Sequence, residues 1–132
     1  MLYRVFVVDD NAAVRAGIHR LLETSGFEIC GEAFDGLDAV ERAPEINLDL
    51  IILDVPMPRM NGVDAARKLR DLHPKVPILL NTSHAAVIRA EERLPEGVTA
   101  VVDKRENLLH SVLQLLPNSN AIQLGEAARG NQ

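Results

Sequence analysis

The sequence has little cysteine, no excess of basic residues and no long apolar run, and each shortage excludes a class of protein. Its one cysteine, Cys30, has no partner for a disulfide within the chain, and a small thiol in a strand-like stretch is typical of the core of a reduced cytoplasmic protein. No apolar run approaches the ~20 residues that cross a bilayer, and the N-terminal stretch lacks the pattern of a signal peptide. We therefore expect a cytoplasmic protein with no membrane segment.

The charge balance argues against nucleic acid as a direct ligand. The chain carries 14 lysine and arginine residues against 19 aspartate and glutamate residues, which gives a net charge of −5. Binding to nucleic acid depends largely on lysine and arginine side chains that neutralise phosphates.

At 132 residues the chain is long enough for one domain with a substantial core.

A buried strand is predicted at residues 50–53, and it ends in a charge. Four apolar residues in a row are typical of a strand covered on both faces of a parallel sheet. Asp54 follows directly, and Pro56 and Pro58 then stop strand pairing. Asp54 is therefore expected at the carboxyl end of its strand, the edge where open α/β sheets bind ligands.

A second predicted strand, residues 3–8, also ends in acid, at Asp9 and Asp10. If the two strands are parallel neighbours, three carboxylates meet in one cleft. Unit charges about 4 Å apart repel by about 4 kcal/mol near a protein surface, so the cluster needs a counter-charge. Mg²⁺ prefers oxygen ligands and commonly carries phosphate, and the pattern therefore predicts a magnesium-dependent site that handles a phosphoryl group.

The rest of the chain alternates between helical and strand patterns. Five strands alternating with five helices predict an α/β fold, a doubly wound parallel sheet with helices on both faces. Residues 1–117 are expected to form this domain, and the polar residues 118–132 a C-terminal tail or linker remnant. The predicted strands are 3–8, 28–34, 50–53, 76–81 and 98–102, and the predicted helices are 11–25, 36–43, 63–73, 85–94 and 108–116.

Three further polar residues follow the last two strands. Thr82 and Ser83 come after strand 4, and Lys104 comes after strand 5. Acids that hold a cation, a hydroxyl that donates to a phosphoryl oxygen and a lysine that offsets charge are the groups that a metal-assisted phosphoryl acceptor needs.

With these residues the chain resembles the receiver domain of bacterial two-component response regulators, from about residue 3 to residue 116. The resemblance is carried by the Asp9-Asp10 pair and by the segments 54–62, 77–83 and 97–104. It implies the five-stranded (βα)5 flavodoxin-like fold with strand order 2-1-3-4-5.

The resemblance also implies a role for each site residue. Asp54 resembles the phosphoacceptor, which takes a phosphoryl group from a sensor histidine kinase or a phosphotransfer protein. Thr82 resembles the switch hydroxyl, with Ser83 as a second hydroxyl beside it, and Lys104 the phosphoryl-binding lysine. Mg²⁺ is expected on Asp54, Asp10, the backbone carbonyl of Pro56 and, through water, Asp9.

The sequence departs from the family where phosphorylation is read out. Val101 stands where an aromatic residue is common, and Arg105 stands where a proline often follows the lysine. A short β-branched side chain cannot turn inward as the aromatic does, so the switch is expected to depend on residues 82–86 and helix 4. The output partner, or a second copy of the chain, is expected on the face made by helix 4, strand 5 and helix 5.

Three alternatives differ in function. The chain resembles, over residues 27–36, regulators whose output is a C-terminal helix-turn-helix, so it is alternatively the receiver fragment of a transcriptional regulator. An aspartate-nucleophile phosphohydrolase commonly has a second acid two residues after the nucleophile, where this chain has Pro56. A flavodoxin-like nucleotide binder needs a phosphate loop after strand 1, where Asp9 and Asp10 would repel phosphate. A non-enzymatic signalling domain, which gains and loses its own phosphoryl group, is the preferred interpretation.

Overall fold

Five parallel strands form one sheet in the computed structural model, which describes residues 2–116. The strand order is β2-β1-β3-β4-β5, as predicted. The strands are β1 (Arg4–Val8), β2 (Glu28–Ala33), β3 (Leu50–Leu53), β4 (Ile78–Thr82) and β5 (Ala100–Asp103), and the helices are α1 (Ala12–Glu23), α2 (Gly36–Arg42), α3 (Gly62–Leu72), α4 (Ala85–Arg89) and α5 (Leu108–Leu115). A short 3₁₀ turn, Ala43–Glu45, extends α2.

Helices cover both faces of the sheet, which explains why β3 is apolar at every position. Ile51 and Leu53 pack in the cluster that contains residues of α2, α3 and α4, whereas Leu50 and Ile52 pack in the cluster with α1 and α5. All four side chains are buried. No helix within residues 2–116 is long and apolar enough to cross a membrane.

Side-chain caps begin four of the five helices at the carboxyl edge of the sheet. Asn11, Asp35, Asn61 and Asn107 each accept a hydrogen bond from a backbone N–H in the first turn of α1, α2, α3 and α5. Such caps satisfy N–H groups that the helix leaves without partners. His84, before α4, makes no side-chain cap.

The prediction for helix 4 is wrong in length. The helix was expected over 85–94, but α4 ends at Arg89. Only Ala85 and Ile88 of this helix are buried, and residues 90–94 are exposed. The missing cap and the narrow apolar stripe leave little to hold further turns. Residues 117–132, which include the predicted tail, lie outside the described residues.

Strand boundaries also differ slightly from the prediction. β4 begins at Ile78 instead of residue 76 and extends to Thr82, while β5 begins at Ala100 instead of residue 98 and extends to Asp103. Both differences shift the strands towards the carboxyl edge. Thr82 and Asp103 are partners in the parallel ladder, so the switch hydroxyl candidate belongs to the sheet itself.

Candidate functional site

The parallel pairing of β1 with β3 brings Asp9 and Asp54 to the same edge. Val8 pairs with Leu53 in register, and the backbone N–H of Asp54 donates to Val8 O at 3.0 Å. The residue that follows each strand is therefore carried to the same level. The expected meeting of the two strand ends is confirmed.

Three carboxylates converge at this edge. One oxygen each from Asp9, Asp10 and Asp54 lies within 4.8 Å of the others. Asp9 and Asp54 are buried, with exposed fractions of 1% and 4%, whereas Asp10 is exposed. Among the described residues, this is the one group of histidine, cysteine and acidic side chains placed to hold a metal ion.

Lys104 lies between two of the carboxylates. Its Nζ donates to Asp9 Oδ2 at 2.9 Å and to Asp54 Oδ2 at 2.8 Å. The remaining oxygens of these acids accept backbone hydrogen bonds, from the N–H of Asn11 to Asp9 Oδ1 at 2.9 Å and from the N–H of Val55 to Asp54 Oδ1 at 2.7 Å. The lysine thus offsets part of the acidic charge before any ligand arrives.

Burial decides the direction of the pKa shift of Asp54, whereas pairing with the acids decides that of Lys104. Burial raises the pKa of Asp54 above its usual value, although the hydrogen bond from Lys104 acts against this shift. Burial also acts to lower the pKa of Lys104, but its hydrogen bonds to Asp54 and Asp9 outweigh that effect and the pKa rises. Lys104 is therefore a stable cation beside a carboxylate whose charge costs free energy.

The donor set fits a hard divalent cation. All three acids offer carboxylate oxygens, and three negative charges face one lysine. Within the described residues the carboxylate of Asp10 has no hydrogen-bond or ion-pair partner, so it is free to bind a ligand from the solvent side. Magnesium accepts such carboxylates together with backbone carbonyls and water.

The hydroxyl candidates lie in different environments. Thr82 is fully buried at the end of β4, and its Oγ1 accepts a hydrogen bond from the N–H of His84 at 3.2 Å. The carbonyl of Thr82 accepts from the N–H of Lys104 at 3.2 Å, which ties it to the lysine. Ser83 is exposed. The structure therefore ties Thr82 more closely to the site than Ser83.

Two other candidates lie at the margin of the site. Pro56 is exposed in the loop that follows Asp54, and Val101 is half-buried on β5. The carbonyl of Val101 accepts a hydrogen bond from Arg89 of α4 at 2.9 Å, and the same Arg89 nitrogen lies 2.8 Å from Glu106 Oε1. This connection between α4 and β5 was not predicted from the sequence.

Two arginines near the site were also missed. Arg15 of α1 donates to the backbone carbonyl of Asp9 at 2.6 Å, and Arg59 pairs with Asp35 across the top of the sheet at 2.7 Å. Arg15 is four residues after the cap Asn11, so its position on α1 was a usable signal. Nothing in the local sequence links Arg59 to Asp35, which lies 24 residues earlier.

Comparison with known protein families gives a match over most of the chain. The profile of the response regulator receiver domain matches residues 5–114. The chain belongs to this family.

The relatives of this receiver domain differ in how much of their length the match covers. The chemotaxis protein CheY of Thermotoga maritima is 36% identical over 101 residues, which are 76% of this chain and 84% of CheY. BvgA of Bordetella pertussis, named as a positive transcription regulator of virulence factors, is 31% identical over 113 residues, which are 86% of this chain but 54% of BvgA. The chain spans about half the length of the curated transcriptional regulators that it matches.

A solved structure agrees with both fold and family. The response regulator TrrA of Thermotoga maritima, in complex with Mg²⁺ and beryllium fluoride, is 29% identical to this receiver domain with a TM-score of 0.77. The match covers 87% of this chain and 100% of TrrA. The flavodoxin-like arrangement predicted from the sequence is therefore confirmed.

Proposed function

We propose that Asp54 accepts a phosphoryl group from a phosphohistidine of a sensor kinase or phosphotransfer protein. The observation that carries this proposal is the convergence of Asp9, Asp10 and Asp54, with Lys104 Nζ on two of the three acids. Asp54 directly follows the central strand β3, its carboxylate is buried, and burial raises its pKa.

The transfer requires one bond to form and one to break. An oxygen of the Asp54 carboxylate attacks phosphorus, the P–N bond to the donor imidazole breaks, and its electron pair returns to the ring nitrogen. The product is an acyl phosphate on Asp54. Lys104 offsets charge on the phosphoryl oxygens, and the hydroxyl of Thr82, after leaving the N–H of His84, donates to one of them.

The acids and one backbone carbonyl would hold the metal ion. Asp10, Asp54 and the carbonyl of Pro56 are assigned as direct ligands, and Asp9 as a ligand through water. When bound there, Mg²⁺ would supply positive charge that offsets the charge of the acids and the phosphoryl oxygens. The carboxylate of Asp10 is exposed and has no hydrogen-bond or ion-pair partner among residues 2–116, which supports its assignment as a direct ligand.

Labelling with a small phosphoryl donor tests the acceptor assignment. Incubated with acetyl phosphate and Mg²⁺, the wild-type chain should gain one phosphoryl group by intact mass, and Asp54→Asn should gain none. Asp64→Asn, on the exposed surface of α3, removes the same charge as a control and should label like the wild type. Equal labelling of wild type and Asp54→Asn would contradict the proposal.

A measurement of phosphate release by the same wild-type and Asp54→Asn proteins separates the signalling function from the phosphohydrolase alternative. A signalling receiver should label stoichiometrically with acetyl phosphate and release little phosphate from a small phosphate ester. A hydrolase should release many equivalents of phosphate from a small ester such as p-nitrophenyl phosphate. Sustained turnover of such an ester by wild type but not by Asp54→Asn would favour the hydrolase.

We infer that the output partner, an effector domain or a second copy, binds the face made by α4, β5 and α5. Val87 of α4 and Leu94 after it expose 66% and 41% of their surface. The match covers 53% and 54% of two transcriptional regulators among the relatives, so about half of each lies outside the receiver domain, which supports an effector as the partner. Val87→Glu should weaken partner binding without changing labelling of Asp54.

A further inference from the structure

The loop between Asp54 and α3 has main-chain hydrogen bonds to its surroundings only near its two ends. The carbonyl of Val55 accepts from the N–H of Gly62 at 2.8 Å, and the carbonyl of Met60 accepts from the N–H of Gly36 at 3.0 Å. Among residues 2–116, no main-chain hydrogen bond joins residues 56–59 to another element. The part of the loop that contains Pro56 is therefore held by side chains.

Arg59 provides the tie to the rest of the protein. Its Nε and Nη2 donate to the two carboxylate oxygens of Asp35 at 2.7 and 3.1 Å, and its guanidinium lies 5.3 Å from the ring centre of Phe34. Asp35 is 1% exposed, and it also caps α2 by accepting from the N–H of Asp38. The two contacts of Arg59, with Asp35 and with Phe34, are called the Arg59 clamp below.

The pairing in the clamp is strong for two reasons. A two-pronged guanidinium–carboxylate contact fixes direction as well as distance. The hydrogen bonds from Arg59 also hold the pKa of Asp35 below its usual value, so the buried carboxylate stays charged and needs its partner. The clamp therefore anchors the loop to the β2–α2 corner.

The backbone at Arg59 depends on this anchor. Its φ is +60°, and it is the one residue other than glycine with positive φ in the described part of the chain. A residue with a Cβ reaches this left-handed region only at a cost in free energy. Met60, the residue after Arg59, packs closely against Gly36, and a Cβ at Gly36 would overlap the carbonyl of Met60.

We propose that Arg59 is a positioning residue for the cation site, because its clamp fixes the direction of the Pro56 carbonyl. Pro56 is three residues before Arg59, and the rings of Pro56 and Pro58 fix two of the φ angles between them. Hydrogen bonds hold Val55 at one end of this stretch and Arg59 at the other, so the carbonyl of Pro56 can rotate little. This proposal rests on the assignment of Pro56 as a ligand under the proposed function.

Magnesium affinity distinguishes positioning from simple charge. Arg59→Gln removes a positive charge near an acidic site, and by charge alone it should tighten Mg²⁺ binding. Loss of positioning has the opposite sign, because supports of metal ligands typically contribute about 10-fold or more to affinity. We expect the Kd for Mg²⁺, measured by calorimetry on the full chain, to rise about 10-fold in Arg59→Gln.

Two further variants separate geometry from charge and from folding. Arg59→Lys keeps the charge but not the two-pronged contact, so its Kd should lie between those of wild type and Arg59→Gln. Arg67→Gln removes an arginine from an exposed ion pair on α3 and should not weaken binding. Circular dichroism should show that all three variants remain folded, and Arg59→Lys carries the test if Arg59→Gln does not.

Labelling of Asp54 gives a second readout. In Arg59→Gln the Mg²⁺ concentration for half-maximal labelling by acetyl phosphate should rise about as much as the Kd, while the rate at saturating Mg²⁺ stays near the wild-type rate. Tighter or unchanged Mg²⁺ binding in both Arg59 variants would overturn the proposal. If wild type binds Mg²⁺ but is never labelled, the proposed function fails, and the Kd values still decide the role of Arg59.

Discussion

Lys104, the residue after β5, donates a hydrogen bond to Asp54 at 2.8 Å, although β5 does not adjoin β3, the strand that Asp54 follows. β4 lies between β3 and β5, so the lysine reaches past it to the acids. Asp9 accepts from the same Nζ at 2.9 Å. One cation therefore joins the ends of β1, β3 and β5, and it has a structural role in addition to the proposed role with the phosphoryl group.

Removal of Lys104 should destabilise the metal-free protein and make its stability depend on magnesium. Lys104→Met leaves Asp9 and Asp54 buried without a cation, and breaking a buried pair in this way costs about 3 to 5 kcal/mol. Urea unfolding without metal should show a loss of this order, and added Mg²⁺ should recover more free energy of unfolding than in wild type. Lys68→Met, at an exposed position of α3, should change little. A small loss that is independent of Mg²⁺ would contradict the pairing.

The unequal exposure of Asp9 and Asp10 predicts unequal effects on metal binding. Asp10→Asn should weaken Mg²⁺ binding about 10-fold or more, because it replaces a proposed direct ligand. Asp9→Asn should have a smaller effect, because Asp9 is 1% exposed and is assigned to act on the cation through bound water. Both changes remove one charge, so the difference in Kd reports the ligand role. The reverse order in a calorimetric titration would exchange the two assignments.

The strand ends were predictable because each apolar run stops at a residue with a clear chemical role. Leu50–Leu53 ends at Asp54 and Arg4–Val8 ends at Asp9, and parallel pairing then brings the acids together without further information. The length of α4 depended on weak packing, which a short apolar stripe does not reveal. The contact between Arg59 and Asp35 depended on how two loops meet above the sheet, and sequence spacing carries no signal for that.

Acid should weaken the β5–α5 turn through Asp103. Arg105 donates to its carboxylate from Nε at 2.9 Å and Nη2 at 3.2 Å, and these hydrogen bonds lower the pKa of Asp103 from 3.8 to about 2. Because the pKa is lower in the folded state, the contribution to stability is present above about pH 4 and is lost as the pH falls towards 2. The gap in unfolding free energy between wild type and Asp103→Asn should be constant near neutrality and shrink over that range.

Replacement of the buried residue Asn81 by an apolar residue should stabilise the protein. The residue is 5% exposed, and no group among residues 2–116 hydrogen-bonds to its Oδ1. A buried polar atom without a partner costs about 1 to 3 kcal/mol, so Asn81→Leu should raise the free energy of unfolding by about 1 to 2 kcal/mol. Urea denaturation would measure the gain, and labelling of Asp54 by acetyl phosphate should be unchanged. A loss of stability would show that the amide has a partner in solution, such as an ordered water.

The coupling between Asp54 and α4 should pass through Thr82. Its Oγ1 accepts from the N–H of His84 at the start of α4, a helix whose N-cap makes no side-chain hydrogen bond. A phosphoryl group that draws the hydroxyl away should therefore loosen α4. Hydrogen exchange with and without beryllium fluoride and Mg²⁺ should change mainly over residues 82–94. We expect Thr82→Ala to lose this response and Ser83→Ala, at the exposed neighbour, to keep it. If only Ser83→Ala loses the response, Ser83 carries the contact with the phosphoryl group. If both single variants keep the response, the double variant decides whether any hydroxyl is needed.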